Sequence, residues 1–374
     1  MSDITQIIEQ LDSIAKNPKA QLDKYLSQGK KVIGCMPVYC PEEIVYASGM
    51  VPMGIWGTQT EVSKAKYYYP AFICSILQTA LELGMKGEYK GLSAIMIPII
   101  CDSMKSMQPN WECGVADIPV IPVAQAQNRK LEAGVEFTRS QYRVIQKNLE
   151  KISGAAIKDD AIANAVKVYN DHRAAMREFA LLAGKHPELI SVKARCAVFK
   201  SAYFMLKDEH TALVEKLNAA LKASPEAAWN GKKVVTTGII ADLPELLDIF
   251  EENKIAIAAD NIAHESRQYA YDVPVEADPV YGLAKQLAVI EGCSILYDPK
   301  KLRGEMVADM VKQTKADGVI YILTKFGDPE ELDYVPMKKL FDKEGIKCVQ
   351  IEIDQQMTSF EQAKTAIETF CDII

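Results

Sequence analysis

Short runs of branched apolar residues recur in the first third of the chain, at Lys31 to Met36, Val51 to Trp56, Leu92 to Ile99 and Pro119 to Val123, with stretches of helical spacing between them. Strands that are apolar throughout, separated by helices, predict a parallel sheet covered on both faces. From Glu136 to about Ala228 the rhythm changes. Apolar positions there recur with the helical period and charged residues fill the outer faces, as in Asp160 to Ala183 and Thr211 to Ala223. Strand-helix alternation returns at Lys233 to Thr237, Ile255 to Ala259, Gly318 to Leu323 and Ile346 to Ile353, and a terminal helix is expected over Phe360 to Phe370. The pattern predicts an α/β fold with two doubly wound parallel-sheet domains, residues 1–135 and 231–374, joined by a helical segment, residues 136–230.

The two sheet domains read as distant copies of one another. The stretch from Val32 and the stretch from Val234 each run strand, loop, helix start, strand, with the helix opened by Pro41-Glu42 in one and Pro244-Glu245 in the other. Proline suits a first helical turn, where its missing N–H is not needed. Further on, the stretch from Leu92 parallels the stretch from Gly318, which sets Cys101-Asp102 against Gly327-Asp328.

At 374 residues and 49% hydrophobic content the chain can bury more than one core. The net charge of -7, with Lys and Arg scattered, offers no electrostatic footprint for nucleic acid or for an anionic membrane, so neither partner is expected. Met1 to Lys31 lacks the apolar stretch of a secretory signal, and the longest apolar run, near Leu92 to Cys101, is too short to span a bilayer. A cytoplasmic location is expected. In that reducing setting nine cysteines imply metal binding, redox chemistry or burial rather than disulfides. There is no CxxC pair, and no Cys and His have zinc-finger spacing, so any metal site has to be assembled by the fold.

Ligands of open parallel sheets collect at the carboxyl ends of the strands, and that criterion sorts the cysteines. Cys40 follows the first strand, Cys74 opens a helix over Phe72 to Gly84 after the turn at Tyr67 to Pro70, and Cys101 ends the third strand. All three are expected on one rim. Thiolates at helix N-termini gain from the exposed N–H groups there. The alternative is that they are ordinary buried thiols, since free Cys is among the most buried residue types. Core positions explain Cys35, Cys196, Cys348 and Cys371. Cys293 has no clear context. Cys113, on the helix that follows Cys101, would lie roughly 18 Å from it at 1.5 Å per residue.

Other chemistries have less support. His172, His186 and His210 fall in or beside the helical segment with no ligand at metal spacing, so solvated helix positions are expected. His264 follows Asp260-Asn261 at a strand end, where a polar loop could face a ligand or a partner subunit as well as serve structure alone. No GxGxxG and no GxxxxGK[ST] is present, so neither a dinucleotide fingerprint nor ATP hydrolysis is indicated. Glu42-Glu43 reads either as a catalytic pair or as acids of a first helical turn.

Four stretches taken together carry a family resemblance: CPEEIVYASGMVPMGIWG from Cys40, YYYPAFICSILQTALELG from Tyr67, IPIICDSMKSMQPNW from Ile97 and LTKFGDPEELDYVPMKKLFDKEGIKCVQIEID from Leu323. In this order, over nearly the whole chain, they resemble the 2-hydroxyacyl-CoA dehydratase and benzoyl-CoA reductase family. That resemblance implies two flavodoxin-like domains with a helical region and one [4Fe-4S] cluster per subunit, with Cys74 and Cys101 matching cluster ligands. It also exposes a departure. Alpha subunits of the family carry a third ligand in Phe-Cys-Asp-Pro, where this chain has Phe326-Gly327-Asp328-Pro329. The chain therefore resembles a beta subunit, and Cys40 is the best-placed third thiolate, with Cys35 and Cys113 as weaker candidates.

The chemistry so implied is elimination of water from an (R)-2-hydroxyacyl-CoA, with 2-hydroxyisocaproyl-CoA, from leucine fermentation, as the specific expectation. Ordinary acid-base catalysis is insufficient, because the beta proton is barely acidic. A separate ATP-dependent iron-sulfur activator protein would inject one electron, making a ketyl radical anion of the thioester that expels hydroxide. Substrate is expected mainly at the alpha subunit, and this chain would relay the electron as its heterodimer partner. No acid-base residue of its own is assigned. Two other readings remain: a benzoyl-CoA-reductase-like subunit, and a two-domain protein that closes over a small solute without catalysis.

Overall fold

A computed structural model describes residues 3–374. The chain opens with α1 (Asp3–Lys16) and α2 (Pro18–Ser27), hinged at Asn17, whose side-chain oxygen accepts from Ala20 N at 3.1 Å. A first sheet follows, built from β1 (Val32–Cys35), β2 (Val51–Gly54), β3 (Ala94–Pro98) and β4 (Val120–Val123). All its pairings are parallel and the order is β2-β1-β3-β4. Between the strands run α3 (Glu42–Ala47), α4 (Ser75–Lys86) and α5 (Asp102–Gly114).

Strand order decides which face each helix covers. The step from β1 to β2 runs one way along the sheet, while β2 to β3 and β3 to β4 run the other way. Right-handed crossovers then put α3 on one face and α4 and α5 on the opposite one. Core packing follows this division. Ile33, Cys35, Ala94 and Met96 pack on the α3 face, whereas Val32, Ile95 and Ile97 pack with α4 and α5.

The middle of the chain is helical, as its periodicity predicts, although it begins four residues before the expected Glu136: α6 (Glu132–Ser153), α7 (Asp159–Lys185), α8 (Val192–Ser201) and α9 (Lys207–Ala223). Its own core, including Phe179, Phe199 and Leu217, also takes in Leu11 of α1. The second sheet contains β5 (Lys232–Gly238), β6 (Ile255–Ile262), β7 (Gly318–Thr324) and β8 (Cys348–Ile353), again all parallel, in the order β6-β5-β7-β8. Both sheets thus share one strand order, which matches the internal similarity read between Val32 and Val234. The surrounding helices are α10 (Pro244–Glu252), α11 (Pro279–Val289), α12 (Arg303–Thr314), α13 (Asp328–Lys343) and α14 (Glu361–Ile373).

One apolar cluster runs through both sheets, from Val32, Ile95 and Met53 of the first to Val234, Ile320 and Ile351 of the second. No helix among the described residues is long and apolar enough to cross a membrane.

Candidate functional site

Two of the singled-out cysteines cap helices at the carboxyl rim of the first sheet. Cys74 is the residue before α4 and Cys101 the residue before α5, one turn of chain beyond the end of β3 rather than inside the strand. Met104 N–H donates to the Cys101 sulfur at 3.4 Å. Both thiols are half-buried. Burial pushes Cys74 up to about 12, the Leu77 N–H pulls it partly back, and negative charge on Cys101 or Asp354 would push it further. Cys101 is raised too, again by burial, against the N–H groups of Met104 and Ser103. The pair therefore holds its protons when alone. A bound metal would take their place, since coordination exchanges a thiol proton for the cation.

The second sheet closes over this rim. Gln355, in the turn after β8, donates its backbone N–H to Ser75 Oγ at 3.2 Å and its side-chain amide to Trp56 O at 3.2 Å. Thr79 Oγ1 donates to Gln355 Oε1 at 2.6 Å. Glycine is required opposite: a Cβ on Gly57, which has a φ of +67°, would stand 2.1 Å from Thr79 Oγ1. Asp354 and Gln355 were not singled out from the sequence. The available signal was their position at a strand end, the same criterion that found Cys101.

Cys40 is placed elsewhere. Its thiol donates to Met36 O at 3.3 Å and approaches Met96 O at 3.8 Å, so it sits beside the body of β3, below the rim. It packs on the α3 face, whereas Cys74 and Cys101 pack on the α4 and α5 face. Its neighbour is Cys35, whose thiol burial pushes well up and which Cys40 contacts. The reason is topological. Cys40 precedes the one crossover that leaves β1 in the opposite direction, and Tyr39 before it turns the chain with a φ of 70°. Among the described residues no three His, Cys, Asp or Glu are grouped so as to hold a metal ion. Two thiols under helix N-termini fit an iron-sulfur cluster, but a third cysteine is not brought to them.

The other cysteines fall as follows. Cys35, Cys196 and Cys293 are buried, Cys348 and Cys371 are half-buried, and Cys113 is exposed on α5. Gly327, at the position of the missing family ligand, is the residue before α13. A Cβ there would stand 2.7 Å from Thr324 O, so this turn is shaped for glycine.

The histidines correct the expectation of solvated positions. His172, His186 and His210 are all buried. His172 Nε2 meets His210 Nδ1 at 2.9 Å, and His210 Nε2 lies 3.2 Å from Ser201 Oγ. The helices of His172 and His210 present them inward and partners from other helices supply the hydrogen bonds that burial requires, while His186, just after α7, meets Glu188 Oε1 at 3.2 Å. Glu42 and Glu43 of α3 are likewise paired, Glu42 with Lys207 at 3.3 Å and with Tyr169 Oη at 3.2 Å, Glu43 with Arg173.

Comparison with known proteins gives a consistent picture. The family model for the 2-hydroxyglutaryl-CoA dehydratase D-component matches residues 37–374. The sequence is 50% identical over 375 residues to the (R)-phenyllactyl-CoA dehydratase beta subunit of Clostridium sporogenes, covering 100% of both chains. It is 44% identical to the lactoyl-CoA dehydratase subunit beta of Anaerotignum propionicum, again over 100% of both. Against the (R)-2-hydroxyglutaryl-CoA dehydratase subunit beta of Acidaminococcus fermentans it is 44% identical over 99% of both.

Proposed function

The chain belongs to the family of the 2-hydroxyglutaryl-CoA dehydratase D-component, and from that premise we propose that it is the beta subunit of a 2-hydroxyacyl-CoA dehydratase, a lyase. The observation that carries this reading is the end-to-end similarity to three beta subunits of such enzymes. Those three act on different acyl groups, so similarity at this level supports the reaction more firmly than the substrate. For the acyl group we propose 2-hydroxyisocaproyl, in keeping with a resemblance to the beta subunit of (R)-2-hydroxyisocaproyl-CoA dehydratase. Phenyllactyl, handled by the 50% identical relative, is a similarly bulky apolar group.

Cys74 and Cys101 are the residues of this chain that would hold a [4Fe-4S] cluster. Such a cluster supplies one-electron transfer when bound. The N–H groups of Leu77, Ser103 and Met104 would face the two sulfurs and stabilise their negative charge. The buried Gln355, in the turn after β8, fixes the start of the helix that Cys74 opens through its bonds to Ser75 and Thr79. Cys40, the third thiolate expected from the sequence, would reach this pair only if residues 36–41 were rebuilt, so the remaining donor is proposed to come from outside the cysteines of the first sheet. In this role the chain accepts an electron from an ATP-dependent iron-sulfur activator and passes it to an alpha subunit, which binds the substrate.

The test is anaerobic reconstitution with an alpha subunit, the activator, ATP and a reductant, offering 2-hydroxyisocaproyl-, phenyllactyl-, lactoyl- and 2-hydroxyglutaryl-CoA in turn. Formation of the 2-enoyl-CoA from the first, lost when this chain is omitted, is expected. Net reduction of benzoyl-CoA, offered as a fifth thioester in the same assay, without dehydration of any of the four would instead support the reductase reading.

A further inference from the structure

Cys35 and Cys40, which the Cys74 and Cys101 site leaves unused, form a pair of their own on the α3 face of the first sheet. Cys35 is the last residue of β1 and pairs in register with Met96 of β3. After it the chain turns back on itself. The Cys40 sulfur thereby comes to 3.3 Å from Met36 O and 3.8 Å from Met96 O, the carbonyls of the residue after Cys35 and of its register partner. Both cysteines pack in one apolar cluster, and the two thiols, both free, are in hydrogen-bonding contact. Thiols already in contact need little rearrangement to reach the S–S length of about 2.05 Å.

The two also share a cavity of about 70 Å³, which Glu42, His172 and Lys207 help to line. One water needs about 10–15 Å³ of such space, so a molecule the size of hydrogen peroxide fits. Their surroundings divide the roles. Cys40 is half-buried and borders a second cavity of about 60 Å³ as well, which makes it the member within reach of a small reagent. Cys35 lies beneath it, where burial holds its thiol protonated against the pull of Lys207. A reachable thiol with a second thiol in contact is the arrangement in which an oxidised sulfur is captured as a disulfide before it oxidises further.

We infer that Cys35 and Cys40 are a hydroperoxide-reactive pair that closes to a reversible disulfide. Cys40 gives its proton to water and its sulfur attacks one peroxide oxygen. The O–O bond breaks, Cys40 becomes a sulfenic acid, and the departing oxygen takes up a proton to leave as water. The Cys35 sulfur then attacks the Cys40 sulfur, the S–O bond breaks, and the hydroxide leaves with the Cys35 proton as a second water. Two thiols and one peroxide thus give one disulfide and two waters, with two electrons passing from sulfur to oxygen. A dithiol reverses the step by exchange. The pair requires neither the cluster nor the alpha subunit, so it stands apart from the dehydratase reading.

Peptide mapping of the full chain tests it. The chain is prepared anaerobically, treated with one equivalent of hydrogen peroxide, blocked with N-ethylmaleimide in denaturant and cut with trypsin without reductant. Both cysteines fall in one tryptic peptide, Val32 to Lys64. That peptide is expected to carry no maleimide and to be two hydrogens lighter, and to regain two labels when dithiothreitol precedes the blocking. The exposed Cys113 should keep its label throughout. In Cys40→Ser the buried Cys35 should keep its label under the same treatment, and in Cys35→Ser dimedone should trap a sulfenic acid on Cys40. Circular dichroism checks that each variant is folded. If Cys35→Ser does not fold, the wild-type map and Cys40→Ser carry the test. Retention of both labels on Val32 to Lys64 while Cys113 is oxidised, a disulfide between Cys74 and Cys101 instead of this one, or loss of the Cys35 label in Cys40→Ser would overturn the proposal.

Discussion

Thr79 and Gln355, 276 residues apart, share a buried hydrogen bond of 2.6 Å that ties the helix opened by Cys74 to the turn after β8. Both side chains are almost fully enclosed. Removing the hydroxyl leaves the Gln355 amide oxygen buried without that donor, which costs about 1–3 kcal/mol. Thr79→Ala is therefore expected to lower the melting temperature and to accelerate hydrogen exchange at the amides of Ser75 to Gln78. Unchanged exchange there would mean that the second sheet does not restrain the site.

Cys74→Ala and Cys101→Ala are each expected to lose most bound iron when produced anaerobically with the alpha subunit, while circular dichroism stays close to that of the wild type. Both thiols are half-buried at helix starts, where the small change to Ala opens little space. Full iron content and dehydratase activity in both variants would return these cysteines to the core.

These two residues were legible in the sequence because a strand end followed by a helix start is a local pattern. The face on which Cys40 lies was not. An apolar run tells that a strand is buried on both sides, but which side its following helix covers depends on the direction of the crossover, a property of the whole sheet. The histidines failed for a related reason. His172 reads as one polar residue on a long amphipathic helix, and its partner His210 is 38 residues further on, on another helix. A helical middle segment and two sheets were recoverable from periodicity; a hydrogen bond between two of the helices was not.

The histidine pair makes stability depend on pH. Burial, and then the charge of Lys207, lower His210 from 6.5 to about 3, and His172 is also held well below 6.5, first by burial and then by His210. Because the unfolded chain takes up protons that the folded one refuses, stability is complete above about pH 6.5 and is lost as the pH falls toward 3. Each histidine contributes roughly 1 kcal/mol per pH unit within that window. Melting temperatures should fall steadily from pH 7 to pH 4 and fall less steeply in His210→Gln. Parallel curves for the two proteins would show that the pair is not responsible.

Cys40 decides between the sequence expectation and the geometry. As folded, its sulfur lies 3.8 Å from Met96 O, inside β3, whereas Cys101 lies beyond the end of that strand, just before α5. Cys40 also packs on the α3 face of the sheet, whereas Cys74 and Cys101 pack on the α4 and α5 face. Moving Cys40 to the rim would also break its bond to Met36 O and expose Cys35 beneath it. Cys40→Ser is accordingly expected to retain iron at the level of the wild type and to lose some stability, because a hydroxyl packs less well than a thiol in that half-buried position. Asp354→Ala, which removes the carboxylate nearest Cys74 on the second sheet, is expected to lower iron retention more than Cys40→Ser does. Electron paramagnetic resonance of the oxidised proteins separates the outcomes. A three-iron signal that appears in Cys40→Ser and not in Asp354→Ala would mean that residues 36–41 rearrange around the cluster and that Cys40 is the third thiolate after all.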